Sequence, residues 1–242
     1  MKIAIITIVY NDVGGIRKTI ESVLGQTSPV DEYVVIDGGS TDGTVDVIKE
    51  YERQLTYFVS EPDSGIYNAM NKGWRNATDD CYILFCNSSD YLEANAVALY
   101  RASFSGLANE VDIFHGLLRF VDKKGVRYIQ GRSSEYLAVS MIEHPTCAVK
   151  KSVFKKLGGF SEAYVSASDY DFITRAKISG FSFKFVESVI SNFDVSGISS
   201  TSDTGARESL SIKRSNGVIT GRDYFLRVTL LRIKGFVKRF VG

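Results

Sequence analysis

The run from Val34 to Thr44, Val-Val-Ile-Asp-Gly-Gly-Ser-Thr-Asp-Gly-Thr, ends an apolar segment on the carboxylate of Asp37 and then turns on small residues. At the carboxyl end of a strand in an open α/β sheet, a carboxylate stands where a nucleotide's base or ribose can be held. The same residues also suit a plain strand-to-helix turn. In that reading Ser40 or Asp42 caps a helix whose Thr44, Ile48, Tyr51 and Leu55 recur at helical spacing. Both readings require a strand before Asp37 and a helix after it, and they differ only in whether the carboxylate meets a ligand.

The surrounding pattern supplies such elements. Apolar runs at 2–9, 32–36, 56–60 and 81–86 have the character of parallel strands buried on both faces. Between them Ile16, Ile20, Val23 and Leu24 mark one helix face, and Ile66, Met70 and Trp74 another. Val97, Tyr100, Phe104 and Leu107 mark a helix over 94–106, completing a βαβ rhythm that predicts a doubly wound sheet. Beyond residue 110 the rhythm changes to α+β. A hairpin is expected over 111–130, turning at Asp122-Lys123-Lys124, then a strand at 146–149, helices at 152–157 and 170–179, and a strand at 183–189. The Gly/Ser/Thr-rich segment 197–205 reads as a loop.

Composition narrows the class. At 242 residues, 44% hydrophobic and 24% charged, the chain is long and apolar enough for a globular α/β domain with a short appendage. Cys81, Cys86 and Cys147 are odd in number and lack metal-ligand spacing, so they read as reduced packing residues of a cytoplasmic protein. No apolar stretch reaches the roughly 18–20 residues that span a bilayer. The apolar start at 2–9 has one lysine and no small-residue cleavage site, and reads as a first strand rather than a signal peptide. The net charge of +1 conceals an asymmetry: residues 222–242 carry a local +5, leaving about −4 on the rest. This argues against nucleic acid as a partner and for one end of the chain seeking an anionic surface. A dinucleotide-dependent dehydrogenase is disfavoured, because no Gly-x-Gly-x-x-Gly follows the first strand.

Several segments, in order over residues 2–200, resemble the family 2 glycosyltransferases. Thr7-Ile8-Val9-Tyr10-Asn11 is similar to that family's opening strand, and Val35 to Thr44 to its second signature. Ser60-Glu61-Pro62-Asp63-Ser64-Gly65-Ile66-Tyr67-Asn68-Ala69-Met70-Asn71-Lys72-Gly73 resembles a subgroup that builds bacterial surface polysaccharides of colanic acid, lipopolysaccharide or capsule type. Phe85-Cys86-Asn87-Ser88-Ser89-Asp90 occupies the place of an Asp-x-Asp metal signature, with Asn87 and Ser89 where carboxylates are common. Ser168-Asp169-Tyr170-Asp171-Phe172, followed by Arg175, resembles the segment that supplies the catalytic base. The resemblance implies a GT-A fold, a mixed central sheet flanked by helices. It further implies a catalytic domain over 1–221, with a nucleotide-sugar half at 1–110 and an acceptor half at 111–221, followed by a tail at 222–242.

It also implies transfer of a hexosyl or N-acetylhexosaminyl group, with inversion, from a nucleotide-sugar to a lipid-linked or oligosaccharide acceptor. Such transfer needs the leaving diphosphate neutralised, for which Mg²⁺ or Mn²⁺ bridging a carboxylate and the phosphates is suited. Asp90 is the expected metal ligand, with Asn87, Ser88 and Ser89 bonding the ribose or the metal's waters; the other reading makes Asp90 a cap for a helix near Glu93. Asp37 and Asp63 are expected to hold base and ribose over a floor at Thr7, Tyr10 and Asn11. Lys72 is either near the pyrophosphate or a solvated helix lysine. Inversion needs a base at the acceptor hydroxyl, and Asp169 is the choice, at a helix start whose dipole favours negative charge. Asp171 competes with it, belongs to the acceptor side with His144, and also reads as an ion-pair partner of Arg175 at i+4. His144 itself also reads as a packed turn residue.

In the tail, Leu226, Leu230, Ile233, Val237 and Phe240 fall on one helical stripe and Arg227, Lys234 and Lys238 on another. This basic amphipathic pattern suits peripheral contact with the inner face of the cytoplasmic membrane, or packing on the catalytic domain or a partner. A second functional class stays open: a non-catalytic nucleotide-sugar-binding subunit that recruits a partner transferase.

Overall fold

The computed structural model describes residues 1–106, 110–195 and 203–230. Its first half alternates β1 (Lys2–Val9), α1 (Ile16–Leu24), β2 (Glu32–Asp37), α2 (Thr44–Lys49), β3 (Tyr57–Ser60), α3 (Ile66–Asn76) and β4 (Cys81–Phe85). β2 and β4 are buried at every residue and β1 at every residue after Lys2, which is why both faces of these strands had to be apolar. Ile3, Ile5 and Val9 with Tyr33 and Val35 pack under α1, while Ala4, Ile6 and Ile8 with Val34 and Ile36 pack under α3, so one sheet carries a core on each side.

The second half adds β5 (Tyr91–Leu92), α4 (Ala96–Phe104), β6 (Ile113–Asp122), β7 (Gly125–Gln130), β8 (Ala148–Lys150), α5 (Lys151–Leu157), α6 (Ser168–Ile178), β9 (Phe183–Asp194) and α7 (Asp203–Ser215). The sheet order is β3-β2-β1-β4-β8-β6-β9-β5, with β7 hairpinned onto β6. β3, β2, β1 and β4 are parallel, β8 lies antiparallel to both β4 and β6, and β6 runs parallel to β9. The expected mixed α/β sheet flanked by helices is therefore present. The chain runs outward from β1 to β3 and then returns to β4 on the other side of β1, so the β1/β4 junction is the topological switch point.

Several expectations shift. The helix expected to run to Leu55 ends at Lys49, and residues 52–54 tighten into a 3₁₀ turn, although Tyr51 and Leu55 still pack on the α1-side core. β9 runs on past Val189 to Asp194. Its polar residues Ser191 and Asn192 are buried because they bond the carbonyl of Tyr91, and Asn192 also donates to Glu93 at 2.7 Å. Leu107 and residues 197–202 of the expected loop lie outside the described residues, and α7 begins within that expected loop. In the tail, residues 221–230 are helical, with Phe225, Leu226 and Leu230 exposed; Ile233, Lys234, Val237, Lys238 and Phe240 lie outside the described residues. Cys81, Cys86 and Cys147 are free and buried.

α3 sits close on the sheet because Gly73 faces β1: a β-carbon there would come within 2.5 Å of Ile6 Cγ2. Gly73→Ala therefore overpacks the interface. The helix-propensity gain of about 1 kcal/mol is outweighed by about 1–3 kcal/mol of overpacking strain. Urea denaturation should show a net loss of stability.

Candidate active site

The carboxyl ends of β1, β2, β3 and β4 open into four loops, at 10–15, 38–43, 61–65 and 86–90, which lie side by side at the switch point. At the centre is Asp37, with no exposure. Its Oδ2 accepts from the backbone N–H of Gly39 (3.0 Å) and Ser40 (2.9 Å) and from Ser60 Oγ (2.6 Å), while Oδ1 accepts from Ser40 Oγ (2.5 Å). The carboxylate thus closes the turn on itself and ties β2 to β3, instead of reaching into the bay as the sequence suggested. Asp42 does serve the following helix, accepting from Thr44 N–H and Oγ1 and also from Val13 N–H.

The wall of the bay is formed by Asp63, Tyr10 and Gly38. A β-carbon on Gly38 would lie 2.5 Å from Asp63 Oδ2 and 3.3 Å from the Tyr10 ring, so only glycine lets those two side chains approach. Asp63 is oriented by the Gly65 N–H, 2.8 Å from its Oδ1. Tyr10 is 65% exposed, a ring face open to a stacking partner. Asn11 adopts φ 48° and locks the floor, donating its N–H to Ser40 Oγ (2.7 Å) and accepting from Thr41 N–H (2.8 Å). Thr7 is enclosed instead: its hydroxyl bonds Tyr33 OH and the Cys86 carbonyl beneath the floor. Lys72 pairs with Glu61 (2.8 Å) and donates to the Pro62 carbonyl (3.1 Å), so it braces the loop after β3 and is not directed to a pyrophosphate.

In the loop after β4, Ser88 and Ser89 both donate to Asp12 Oδ2, at 2.5 and 2.8 Å, and Ser89 sits at φ 73°. Asp12 was not singled out from sequence; the signal was its place directly after Tyr10-Asn11 at the end of the first strand. Asp90 is almost fully buried and accepts from the Asp194 N–H (3.0 Å), joining this loop to the end of β9. Burial, reinforced by the nearby charges of Asp194 and Asp12, raises its carboxyl from 3.8 to about 8. Asn87 Oδ1 is a buried oxygen with no hydrogen-bond partner among the described residues. The same loop thus carries an enclosed carboxyl that holds its proton at neutral pH and an orphaned amide oxygen, both hard donors of the kind a divalent cation prefers. Among the described residues no group of three or more His, Cys, Asp or Glu side chains could hold a metal ion.

Asp169 stands at the first turn of α6, half-buried. Its Oδ1 accepts from Tyr67 OH (3.2 Å) and from Tyr170 N–H (2.8 Å), which leaves Oδ2 without a bond among the described residues. Tyr67 was another residue the sequence reading left without a role, although it lies inside the Gly-Ile-Tyr segment. His144 is packed between Phe85 and Phe160 at centroid distances of 5.8 and 5.7 Å. Burial lowers the His144 pKa against a smaller raising effect of Asp169, so the imidazole is neutral beside that carboxylate. Asp171 is enclosed by its 2.7 Å ion pair with Arg175, whose other nitrogens donate to the carbonyls of Leu157 and Gly159. That removes Asp171 from the acceptor side, where the sequence reading had also placed it.

The family model described as Glycosyl transferase family 2 matches residues 4–158. An uncharacterized glycosyltransferase of Mycobacterium tuberculosis is 32% identical over 210 residues, covering 84% of this chain and 79% of the relative. A solved S. aureus TarS chain in complex with UDP superposes with a TM-score of 0.71 at 20% identity, covering 96% of this chain and 70% of that one. The mannosyltransferase PcManGT from Pyrobaculum calidifontis, in complex with GDP-Man and Mn²⁺, gives 0.62 at 19% identity, covering 88% and 60%.

The raised Asp90 carboxyl has a thermodynamic consequence. In the unfolded chain it ionises near 3.8, whereas in the folded chain it keeps its proton to about 8. Stability contributed by this group therefore falls as pH rises between those values. In metal-free buffer, chemical denaturation of Asp90→Asn should be flatter than wild type across that window, with the variant gaining relative stability toward its upper end.

Proposed function

The chain belongs to glycosyl transferase family 2, and from that premise we propose that it is an inverting transferase. In this reading it moves a hexosyl or N-acetylhexosaminyl group from a UDP-sugar to a hydroxyl of a lipid-linked glycan in bacterial surface-polysaccharide synthesis. That it is a glycosyltransferase of GT-A architecture follows from the family match and the superposed structures.

The observation that carries the reading is the asymmetry at Asp169. Oδ1 is fixed by Tyr67 and Tyr170, and Oδ2 is the open oxygen on a carboxylate that retains exposure while its neighbour Asp171 is sealed. Oδ2 takes the acceptor hydroxyl's proton as the new C–O bond forms and the bond to the diphosphate breaks on the opposite side of the sugar carbon. His144, neutral and packed, shapes the cleft beside the base without adding charge. Tyr10, Asp63 and Gly38 receive the nucleoside, and Asn11, Ser88 and Ser89 hold the floor through Ser40, Thr41 and Asp12. Asp90 and Asn87 would hold Mg²⁺ or Mn²⁺. The ion would offset charge on the leaving diphosphate. The UDP and Mn²⁺ recorded in the superposed structures support this donor and cofactor class.

Peripheral contact with an anionic membrane completes the reading. The helix over 221–230 exposes Phe225, Leu226 and Leu230, and the sequence continues with Arg232, Lys234, Lys238 and Arg239. Each basic residue near such a surface contributes about 1 kcal/mol. Among the described residues no helix is long and apolar enough to cross the membrane.

Thermal-shift screening against UDP-, GDP- and dTDP-sugars with and without Mn²⁺ tests the donor. A ligand at 100 times its dissociation constant adds about 2.7 kcal/mol of stability, and the UDP-sugars should give the metal-enhanced shift. In a transfer assay with a verified acceptor, Asp169→Asn should lose about 10²–10⁴-fold in kcat and keep the donor shift. Donor binding without turnover in wild type would instead favour a non-catalytic binding subunit. Co-sedimentation with vesicles should require anionic lipid, weaken in high salt and vanish when residues 222–242 are removed.

A further inference from the structure

Beside Tyr67 lies a groove of about 160 Å³, bordered by Ser64, Asn68, Glu162, Tyr164 and Val165. That exceeds by far the roughly 10–15 Å³ one water needs. Its floor is built around a pinned carboxylate. Glu162 Oε1 accepts from Asn71 Nδ2 at 3.0 Å, and Oε2 accepts from Asn68 Nδ2 at 3.0 Å and Ser64 Oγ at 3.3 Å. Asn71 is itself buried and immobilised, since its Oδ1 accepts from Trp74 Nε1 and Phe160 N–H and its amide also donates to the Phe160 carbonyl. An exposed glutamate is thus anchored through a core amide, and no ion pair neutralises it among the described residues. The amides of Asn71 and Asn68 hold its carboxyl below the usual range, so it is charged at neutral pH.

The groove's free polar capacity centres on two acceptors. Three donors occupy three of the roughly four acceptor positions of the Glu162 carboxylate, and Asn68 Oδ1 has no partner among the described residues. These positions accept hydrogen bonds, the second N–H of the Asn68 amide can donate one, and Tyr164 and Val165 border them with apolar surface. Tyr67 belongs to this groove and to the Asp169 contact at once, which puts a molecule in the groove one side chain from the open Oδ2. Resting on the reading of Asp169 as base, we propose that this groove seats the acceptor's terminal sugar and selects an uncharged, hydroxyl-rich pyranose, with Glu162 as the specificity-determining residue. A sugar's hydroxyls both donate and accept, so they satisfy the free acceptors and the spare amide N–H, and its C–H face covers Tyr164. A uronic acid is rejected because its carboxylate would face Glu162.

Saturation-transfer NMR titrations of the full chain with methyl β-glucopyranoside, methyl β-galactopyranoside, methyl N-acetyl-β-glucosaminide and methyl β-glucuronide test this. At least one neutral glycoside should bind wild type and the glucuronide should not. Glu162→Gln should weaken the neutral ligand about tenfold, the loss of a bond to a charged acceptor, and should admit the glucuronide. Asn68→Asp, which sets a second carboxylate against Glu162, should also weaken the neutral glycoside. UDP-induced thermal shifts should be the same in all three proteins. Equal binding by wild type and Glu162→Gln, no binding by any neutral glycoside, or an effect on UDP-sugar affinity instead would each overturn the assignment. Absence of a nucleotide shift in wild type would count against the transferase reading itself, so the two failures are distinguishable.

Discussion

A buried carboxylate with all its hydrogen bonds made holds this site together. Leaving Asp37 charged and unpaired inside the sheet would be prohibitive, yet two backbone N–H groups and two serine hydroxyls converge on it. Those four donors come from the turn after β2 and from the end of β3, so satisfying the charge also fixes the spacing between two loops. Gly38 is then held where Asp63 and Tyr10 can close over it, and Ser40 is held where Asn11 can bond it. The bay is thus shaped by a residue that does not line it.

A second joint works by the same logic at the other side of the switch point. Asp12 gathers Ser88 and Ser89, while Asp90 caps the end of β9 through the Asp194 N–H. The loop after β4 is therefore tied to β1 on one side and to the last strand of the sheet on the other. Burial above all, with the charges of Asp194 and Asp12 added, raises the proton affinity of Asp90.

Much of this was legible from the chain. Parallel strands buried on both faces leave uninterrupted apolar runs, so β1, β2, β3 and β4 stand out, and the loops that follow them carry the polar residues by topology. What the sequence hides is direction. Nothing local to Asp37 says whether it points into the turn or the bay, because the answer depends on Ser60, which is on another strand. Thr7 falls on the same pleat face as Ile5 and Val9, so it points into the core under α1. Lys72 is claimed by Glu61 from a neighbouring loop. The end of β9 hid for a related reason: Ser191 and Asn192 are polar in sequence, and their burial is compensated by partners near Tyr91 and Glu93. Glu162 has no periodic context at all; its placement depends on Asn71, far away in the chain.

The three-residue strand β8 joins the parallel half of the sheet to the mixed half through pairs with Tyr82, Ile83, Ile113 and Phe114. During synthesis this makes the chain wait. Residues up to 85 can assemble their four parallel strands, but the outer edge of β4 has no neighbour until residue 150 has emerged. At ribosomal speeds of about 5–20 residues per second that interval lasts roughly 3–13 seconds. An open hydrophobic edge of that kind is a template for pairing with other nascent chains. Successful production of the protein therefore depends on how that interval is sheltered as well as on the stability of the finished fold.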